Sequence, residues 1–261
     1  MENNQIKQNR DFMKCPILGE AMKVSDQSKG LPHPPHGKMV DTPLITLQSF
    51  NEEHNNPIKA GDYSTLLDIR RSVRTYGKTV TMTQAQLAFL LYSTQGIQEY
   101  RGKNEAFTLR TVPSGGCRHP FETYIAVRNV EDLQPGIYYY SPMAYVGEKK
   151  VAITFLETLE DYENRITQML AGQSWAANAP VVLFLTCVPY RSEWRYEKHS
   201  HRVMLIDLGH VGQNIMLSAA AMGLGSCCMA AYDQDLCDKA LNLDGVDEYM
   251  VYAASVGMSV T

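Results

Sequence analysis

The feature that most constrains this chain is residues 211–232, which contain no Asp, Glu, Lys or Arg. From residue 205 to residue 222, apolar or small residues recur at alternating steps of three and four, which is the spacing of one helix face. They are Leu205, Leu208, Gly212, Ile215, Ala219 and Met222. The small members keep the helix slim, so that it can be packed on several sides. The stretch therefore predicts a central helix over 202–222, which Gly223 and Gly225 end.

A membrane span is the alternative for such an uncharged stretch, and the residues argue against it. A bilayer helix needs about 20 predominantly apolar residues. Polar side chains interrupt residues 211–232, and the glycine pair breaks the helix after residue 222. We therefore predict that a buried strand over 226–231 follows the helix.

The remaining periodic segments are short, and they include both helices and strands. Helices are predicted over 63–71, 156–171 and 233–241, and Thr83 with Gln86 forms a capping box at the start of a further helix. Strands are predicted over 107–112, 122–128, 136–140, 181–188 and 248–256. Because helices and strands follow one another without a regular βαβ rhythm, the sequence predicts an α+β fold.

Residues 1–60 differ in composition from the rest of the chain. They are polar and rich in Pro, Asn and His, and residues 30–37 read Gly-Leu-Pro-His-Pro-Pro-His-Gly. Proline at this density cannot form a helix interior or a central strand. We expect an extended N-terminal arm over 1–60, partly packed through Leu44, Ile45 and Leu47, and one compact domain over 61–261.

Charge and cysteine spacing exclude several classes of function. The net charge of −4 and the lack of a Lys/Arg block argue against a nucleic-acid binder. None of the six cysteines forms a C-x-x-C pair, so no metal site is expected. The N-terminus lacks a basic region followed by an apolar run, so we expect no signal peptide and a cytoplasmic protein.

The first cluster whose side chains suggest a binding site is residues 70–74, which read Arg-Arg-Ser-Val-Arg. A phosphate group prefers planar bidentate donors together with a hydroxyl, and this segment supplies both. The alternative is a solvated basic helix end that complements the helix dipole.

Two glycine-containing segments form the second and third clusters. Residues 113–118 read Pro-Ser-Gly-Gly-Cys-Arg, and paired glycines allow backbone to approach a flat ligand closely. Residues 223–226 read Gly-Leu-Gly-Ser and precede the small-residue strand. The alternative for residues 113–118 is a plain tight turn, and the alternative for residues 223–226 is ordinary core packing. The chain has neither G-x-G-x-x-G nor G-x-x-x-x-G-K-[ST], so Rossmann and P-loop sites are not supported.

Together these clusters resemble the nitroreductase superfamily. Its pattern is Arg-Arg-Ser-x-Arg, then Pro-Ser-Gly-Gly-x-Arg, then Gly-His-x-x-Gln-Asn followed by Gly-Leu-Gly-Ser, all present here in that order. Within the superfamily the chain is most similar to the SagB-type dehydrogenases, named for streptolysin-S biosynthesis. Glu122, Tyr124 and residues 25–27 and 209–214 fit that branch. The resemblance covers nearly the whole chain.

The resemblance implies a nitroreductase-like fold, in which helices flank a central, mostly antiparallel sheet. It also implies an intertwined homodimer with FMN at its interface. The residues that match the segment around the FMN phosphate and ribityl chain are Arg70, Arg71, Ser72 and Arg74. Those that match the loop reaching the flavin ring from the other subunit are Pro113, Ser114, Gly115 and Gly116.

Three further positions follow from the resemblance. Ala230 and Ala231 match the positions whose backbone contacts the N5 side of the flavin. Asn214 lies in the helix at the dimer core and is either a ligand contact or a hydrogen-bonded buried amide.

The chain departs from the family pattern at two places. Many members end with an Arg or Lys that also holds the phosphate, whereas this chain has Thr261 soon after Gly257, so we expect that contact to be missing or replaced. Members that oxidise azoline rings in peptides carry a Lys-Tyr pair where this chain has Arg195 and Tyr196. Arginine keeps its proton above about pH 12 and is therefore a poor general base.

These observations lead to a functional prediction. The chain is expected to transfer hydride between FMN and a small organic substrate, with NAD(P)H as donor and with Arg195 and Tyr196 as the catalytic pair. In this reading Arg195 holds an anionic or polar substrate, and the alternative is a surface arginine paired with Glu193 or Glu197. A non-catalytic flavin-binding partner in a peptide-modification complex and an azoline-oxidising dehydrogenase remain as alternative functions.

Overall fold

The computed structural model describes residues 4–14 and 22–260. Its helices are α1 Asn4–Phe12, α2 Tyr63–Ile69, α3 Gln84–Gln95, α4 Tyr162–Met169, α5 Tyr190–Tyr196, α6 Ser200–Ala221 and α7 Gln234–Ala240. Its strands are β1 Leu44–Thr46, β2 Ile97–Arg101, β3 Phe107–Arg110, β4 Phe121–Val127, β5 Gly136–Tyr140, β6 Ala152–Glu157, β7 Val181–Cys187, β8 Gly225–Met229 and β9 Tyr249–Gly257. Thr261 and Cys15 lie outside the described residues.

A seven-stranded sheet organises the chain, with strand order β1-β6-β5-β4-β7-β9-β8. All of its neighbouring strands pair antiparallel. Strands β2 and β3 form a separate two-stranded sheet. The predicted α+β fold with an antiparallel central sheet is therefore confirmed.

Both faces of the sheet are covered, which explains the apolar strands at its centre. One apolar core lies between the sheet and helices α3 and α6, and the other lies between the sheet and helices α4 and α7. Every residue of β4 and β7 is buried, as expected for strands with helices on both faces.

The central helix is present as predicted and is followed by a buried strand. Helix α6 buries Leu208, Gly212, Ile215 and Ala219 along one face. Leu205 departs from the predicted stripe, because it is 57% exposed and its neighbour Ile206 is 47% exposed. No helix of the described residues is long and apolar enough to cross a membrane.

The capping box is confirmed at the start of α3. The Gln86 N–H donates to the Thr83 hydroxyl oxygen at 3.1 Å, and the Thr83 N–H donates to the Gln86 side-chain oxygen at 2.9 Å. These reciprocal bonds satisfy backbone donors that a helix N-terminus otherwise leaves unpaired.

One helix was predicted too long, and several elements were not predicted. The expected helix over 156–171 is wrong in its first part, because residues 152–157 form β6 and pair with β5 and β1. Tertiary strand pairing overrides the local helical preference there. Strand β2 and helices α1 and α5 are further elements that the periodicity did not indicate.

The N-terminal region is extended over its proline-rich part and helical over Asn4–Phe12. Strand β1 joins the sheet edge by pairing with β6, and the Lys59 and Ala60 N–H groups both donate to the Ala221 carbonyl at the end of α6. The region thus runs from one sheet edge to the end of the central helix. A domain boundary at residue 60 remains a prediction.

Candidate functional site

The arginine-rich segment 70–74 leaves α2 and joins the edge of the sheet beside β8. Ser72 forms a parallel bridge with Ser226, and the Val73 N–H donates to the Ser226 carbonyl at 2.9 Å. A Cβ at Gly225 would lie 2.7 Å from the Cβ of Val73, so the glycine permits this close approach. The first and third sequence clusters therefore form one structural unit.

The three arginines of this segment carry positive charge without a carboxylate partner. Arg71 and Arg74 are exposed and Arg70 is half-buried. Within the described part of the chain, none of the three forms an ion pair. The Arg74 guanidinium lies 5.7 Å from the centroid of the Trp175 ring, which orients it. The segment thus has the charge and the hydroxyl that a phosphate group requires.

Ala230 and Ala231 follow β8 directly and are exposed. The Ala231 carbonyl accepts a hydrogen bond from the Gln173 side-chain amide at 2.9 Å. The two alanines therefore continue the chain directly after β8, the strand whose Ser226 pairs with the arginine segment.

The glycine loop, residues 113–116, is held from behind by Asp207 of helix α6. The Ser114 hydroxyl donates to one carboxylate oxygen at 2.7 Å, and the Gly115 N–H donates to both oxygens at 3.0 and 3.1 Å. Burial raises the pKa of Asp207, and these hydrogen bonds act in the opposite direction. A lone Asp among the apolar residues of α6 was the available signal for this contact, and the sequence analysis did not use it.

The backbone next to this loop is unusual. Gly116, Cys117 and His119 have φ values of +59°, +52° and +46°. Left-handed backbone is costly for residues other than glycine, and such strain concentrates at functional sites. Turns elsewhere in the described residues share this conformation, so a functional role for the loop remains a prediction.

The predicted catalytic pair packs directly against the glycine loop. A Cβ at Gly116 would lie 2.6 Å from the Arg195 Cδ and 2.7 Å from the Tyr196 hydroxyl oxygen, and a Cβ at Gly115 would collide with Val203. Only glycine fits at these positions. Residues from the middle of the chain and from α5 are thus brought into one cluster, which the sequence did not show.

Arg195 makes contacts that differ from the surface ion pair that was the alternative interpretation. It does not pair with Glu193 or Glu197 in the structure; its Nη1 donates to the Gln27 side-chain oxygen at 2.8 Å. Its guanidinium carbon lies 5.5 Å from the centroid of the Tyr196 ring. The Arg195 Nε is buried and has no hydrogen-bond partner among the described residues. The Nε is therefore a buried donor, unpaired in the described part of the chain, that lies against Gly116.

Asn214 lies apart from both clusters. Its side-chain amide donates to the Ser93 carbonyl at 2.9 Å and to the Thr111 carbonyl at 3.3 Å. It lines a cavity of about 490 Å³ between α3, α6 and residues 50–58, which no residue of the arginine segment or the glycine loop lines. The amide links α6 to its neighbours, and a ligand contact of Asn214 remains a prediction.

The arginine segment and the glycine loop remain separate within one chain. No hydrogen bond, ion pair or ring contact joins residues 70–74 to residues 113–116 in the described part of the chain. Each cluster is organised by its own neighbours, β8 in one case and helices α5 and α6 in the other.

Comparison with known proteins gives the chain a family context. The family model described as "Nitroreductase family" matches residues 67–258. A Methanocaldococcus jannaschii protein named as nitroreductase MJ1384 is 31% identical over 199 residues, which cover 76% of this chain and 89% of that protein.

Two peptide-processing proteins are also similar over part of their length. The trifolitoxin-processing protein TfxB of Rhizobium leguminosarum bv. trifolii is 30% identical over 52% of this chain and 36% of its own length. The microcin B17-processing protein McbC of Escherichia coli is 26% identical over 52% of this chain and 49% of its own length. The chain thus matches half or less of each of these two relatives.

Solved structures share the fold at lower identity. A protein of Anabaena variabilis named as a nitroreductase has a TM-score of 0.63 and 24% identity over 84% of this chain and 42% of its own. An Exiguobacterium sibiricum protein, also named as a nitroreductase and solved in complex with FMN, has a TM-score of 0.54 and 15% identity over 83% of this chain and 92% of its own. At these identities the likeness establishes the fold alone.

The contacts of Asp207 generate a first prediction. Asp207→Ala removes the acceptor for Ser114 and Gly115, so we expect the free energy of unfolding to fall by about 1.5–3 kcal/mol, as for hydrogen bonds to a charged group. Amide exchange at Gly115 should accelerate in the same variant. Asp207→Asn keeps one acceptor oxygen and should lose about half as much.

The control is Asp132→Asn, which alters an exposed aspartate in a turn. Chemical denaturation and hydrogen exchange measured by NMR give the two readouts. Unchanged exchange at Gly115 in Asp207→Ala would mean that the loop does not depend on this carboxylate.

Proposed function

The chain belongs to the nitroreductase family and is an oxidoreductase, and from that premise we propose that it binds FMN and transfers hydride to or from a small organic substrate, with NAD(P)H as donor. The observation that carries the proposal is the arginine segment, whose positive charge has no carboxylate partner where the segment joins β8. When bound, FMN supplies the hydride chemistry, and the protein supplies position and electrostatics.

The residues present fit the phosphate end of FMN. Arg70, Arg71 and Arg74 provide planar donors and Ser72 provides a hydroxyl, and none of these arginines is neutralised by a carboxylate in the described residues. Such charge-assisted hydrogen bonds are shorter and stronger than those between neutral groups. In this proposal the exposed backbone at Ala230 and Ala231 meets the flavin ring.

We further propose that the active protein is a homodimer in which each flavin site uses two chains. The glycine loop of one chain would complete the site whose phosphate segment belongs to the other, which is the arrangement that the resemblance to the nitroreductase superfamily implies. The exposed Leu205 and Ile206 on α6 offer apolar surface for such an interface. Obligate interfaces commonly bury 2,000 Å² or more in total.

Arg195 and Tyr196 are assigned to the substrate side of this site. An arginine side chain is a poor general base, so the role proposed for the half-buried Arg195 is to bind an anionic or polar substrate through its guanidinium. The Tyr196 hydroxyl oxygen, next to Gly116, is the group of the pair that can hold or move a proton. The glycines keep this space free of side-chain atoms.

A second candidate function is peptide modification, favoured by the similarity to the processing proteins TfxB and McbC. The chain would then act as a dehydrogenase on an azoline-containing peptide or as a flavin-binding partner within a modification complex. The arginine at position 195 argues for the first proposal, because azoline oxidation calls for a base at that position.

Flavin binding provides the next prediction. The purified protein should be yellow and release FMN on heating. Arg70→Ala or Arg74→Ala should weaken FMN binding by roughly ten- to a hundredfold, since each removes a charge-assisted hydrogen bond of about 1.5–3 kcal/mol.

Fluorescence titration with FMN measures the affinity, and Arg165→Ala, on the exposed side of α4, is the matched control. Equal FMN affinity in all three variants and wild type would show that residues 70–74 are a solvated helix end. A colourless protein that gains no flavin signal on titration would overturn the proposed cofactor.

Shared sites between two chains can be tested by complementation. One chain carries Arg70→Ala with Arg74→Ala, and the other carries Gly116→Val, which places atoms against Arg195 and Tyr196. Each homodimer should bind FMN poorly. The heterodimer, purified with two different tags, should recover one FMN per dimer, because one of its two sites combines an intact segment with an intact loop.

Sites contained within one chain predict the opposite result, since each chain of the heterodimer would then hold a damaged site. Circular dichroism of both homodimers checks that the substitutions leave the fold intact. A protein that is monomeric by light scattering at micromolar concentration and still holds FMN would also contradict the shared site.

The role of Arg195 is tested with paired acceptors. Arg195→Ala should lower kcat/KM for 4-nitrobenzoate by roughly ten- to a hundredfold and affect uncharged nitrobenzene much less, because one charge-assisted contact of about 1.5–3 kcal/mol is lost. Arg195→Lys should retain part of the difference. Wild type should leave a thiazoline-containing peptide unchanged.

Efficient aromatisation of the thiazoline by wild type would favour the peptide-modification function and assign the base to Tyr196 or another group. Equal losses for both acceptors in Arg195→Ala would show that Arg195 does not recognise substrate charge.

A further inference from the structure

Residues 25–31 of the N-terminal region form a folded turn against helix α5, and we call this turn the clamp. Ser25 is buried at its start, and the Ser25 hydroxyl oxygen accepts from the Ser28 N–H at 3.2 Å. The Leu31 N–H donates to the Asp26 carbonyl at 3.0 Å. These bonds fix the backbone of the clamp, although most of its side chains are exposed.

Three hydrogen bonds join the clamp to α5. The Gln27 N–H donates to the Trp194 carbonyl at 2.9 Å, and the indole N–H of Trp194 donates to the Leu31 carbonyl at 3.2 Å. The Tyr190 hydroxyl donates to the Asp26 carboxylate at 3.1 Å. The helix that carries the proposed catalytic pair is therefore held by the N-terminal region as well as by the sheet.

A fourth contact from the clamp reaches Arg195 itself. The Arg195 Nη1 donates to the Gln27 side-chain oxygen at 2.8 Å, and the guanidinium carbon lies 5.5 Å from the centroid of the Tyr196 ring. Gln27 is the one hydrogen-bond partner of this guanidinium within the described residues. The position of the guanidinium beside Gly116 therefore depends on a neutral amide.

The charged groups around Arg195 have other partners. No carboxylate of the described residues lies within ion-pair distance of its guanidinium. Arg118 donates to the Gly116 and Ala106 carbonyls. The neighbouring carboxylates are also bonded elsewhere, Asp207 to Ser114 and Gly115, Glu193 to His201, and Asp26 to Lys29. Gln27 therefore holds the Arg195 guanidinium without neutralising its charge.

We propose that Gln27 is a positioning residue, which holds the Arg195 guanidinium beside the glycine loop and thereby sets the preference for anionic over neutral substrates. The inference rests on the proposed function, in which Arg195 contacts the substrate. The remaining N–H groups of Nη1 and Nη2 are the donors for that contact. A small displacement of a substrate-contacting group is costly for catalysis, so a residue that orders this guanidinium affects the rate without touching the substrate.

Two substitutions at Gln27 separate the position of Arg195 from its charge. Gln27→Met removes the acceptor, and kcat/KM for 4-nitrobenzoate should fall by roughly three- to tenfold, because a hydrogen bond at an exposed residue is lost. Gln27→Glu retains an acceptor and offsets the charge, so the same constant should fall by about tenfold or more. In both variants kcat/KM for nitrobenzene should change by less than about twofold, since this acceptor carries no charge.

Exchange of the buried Arg195 Nε–H with solvent reports the position of the guanidinium without turnover. NMR of the FMN-bound protein with isotope-labelled arginine measures this exchange, and the signal missing from Arg195→Ala assigns it. Gln27→Met should accelerate the exchange by roughly threefold or more, because the side chain opens more often. Gln27→Glu should leave it as slow as in wild type.

The matched controls are Gln168→Met and Gln168→Glu, at an exposed glutamine of α4, and neither should change either measurement. In the Arg195→Ala background, Gln27→Met should leave the ratio of the two kcat/KM values unchanged within about twofold, because Gln27 acts through Arg195. A residue with a merely structural role would lower both constants in either background.

Equal losses for the two acceptors in Gln27→Met, a further change of their ratio in the Arg195→Ala background, or unchanged Nε–H exchange would each overturn the inference. A wild type that binds FMN and reduces neither acceptor would overturn the proposed function and the preference for anions with it. The exchange measurement would then still decide whether Gln27 positions Arg195.

Discussion

The buried charge of Glu122 is the constraint on which the candidate site depends. Its side chain is 1% exposed on a strand that is covered on both faces. An isolated carboxylate in such a place is very costly, so it requires a close cation and hydrogen bonds. Arg191 supplies the cation, and the Tyr139 hydroxyl donates to the other carboxylate oxygen at 2.8 Å. Burial and this carboxylate raise the pKa of Tyr139 well above its usual value, so the hydroxyl remains a donor.

The pairing of Glu122 with Arg191 places helix α5 against the centre of the sheet. It thereby also positions the proposed catalytic pair, which lies on the same helix. Arg195 lies one helical turn after Arg191, and Tyr196 follows it. Both then meet the glycine loop, which Asp207 holds from the side of α6. The loop is thus fixed between two helices, one anchored by a buried ion pair and the other by apolar packing. Breaking the ion pair would therefore disturb the position of Arg195 and Tyr196 as well as stability.

The sequence predicted the elements whose periodicity is strong and missed those defined by pairing. The central helix, the buried strand β7 and the capping box of α3 have local signals, and each is confirmed. Strand β6 was not predicted, and its last two residues were assigned to the following helix, because the segment acquires strand structure only through contact with β5 and β1. No spacing rule shows a strand whose partners lie elsewhere in the chain.

The same distinction separates the site residues that were predicted from the contacts that were not. The arginine segment and the glycine loop were found because several of their members are adjacent in sequence, although their roles remain predictions. The contacts of Asp207 and Gln27 were not predicted, because each residue meets its partner across a large separation in sequence. A single Asp on a largely apolar helix face is a usable signal for the first. The family resemblance singled out residues 25–27, but nothing in the sequence indicated that Gln27 contacts Arg195.

The charges around the glycine loop make this region electropositive in spite of the net negative charge of the chain. Arg118 donates to the Gly116 carbonyl at 3.0 Å, and burial together with the charge of Arg195 lowers the pKa of its guanidinium. Burial lowers the pKa of the adjacent His119 to about 2, so the imidazole stays neutral and adds no charge. Asp207 is the carboxylate that directly opposes these cations at the loop.

Such a field has a consequence for any ring bound against the loop. Partly buried charges interact more strongly than exposed ones, because less water screens them. Positive potential beside a redox-active ring stabilises electron-rich forms over electron-poor forms, which favours acceptance of hydride. In the proposed function the same potential would attract anionic substrates, and the Arg195 guanidinium would contact them. A lysine at position 195 could lose its charge on giving up a proton, whereas arginine maintains the field at every physiological pH. Arginine in place of lysine at position 195 therefore removes a potential base and supplies a permanent positive charge.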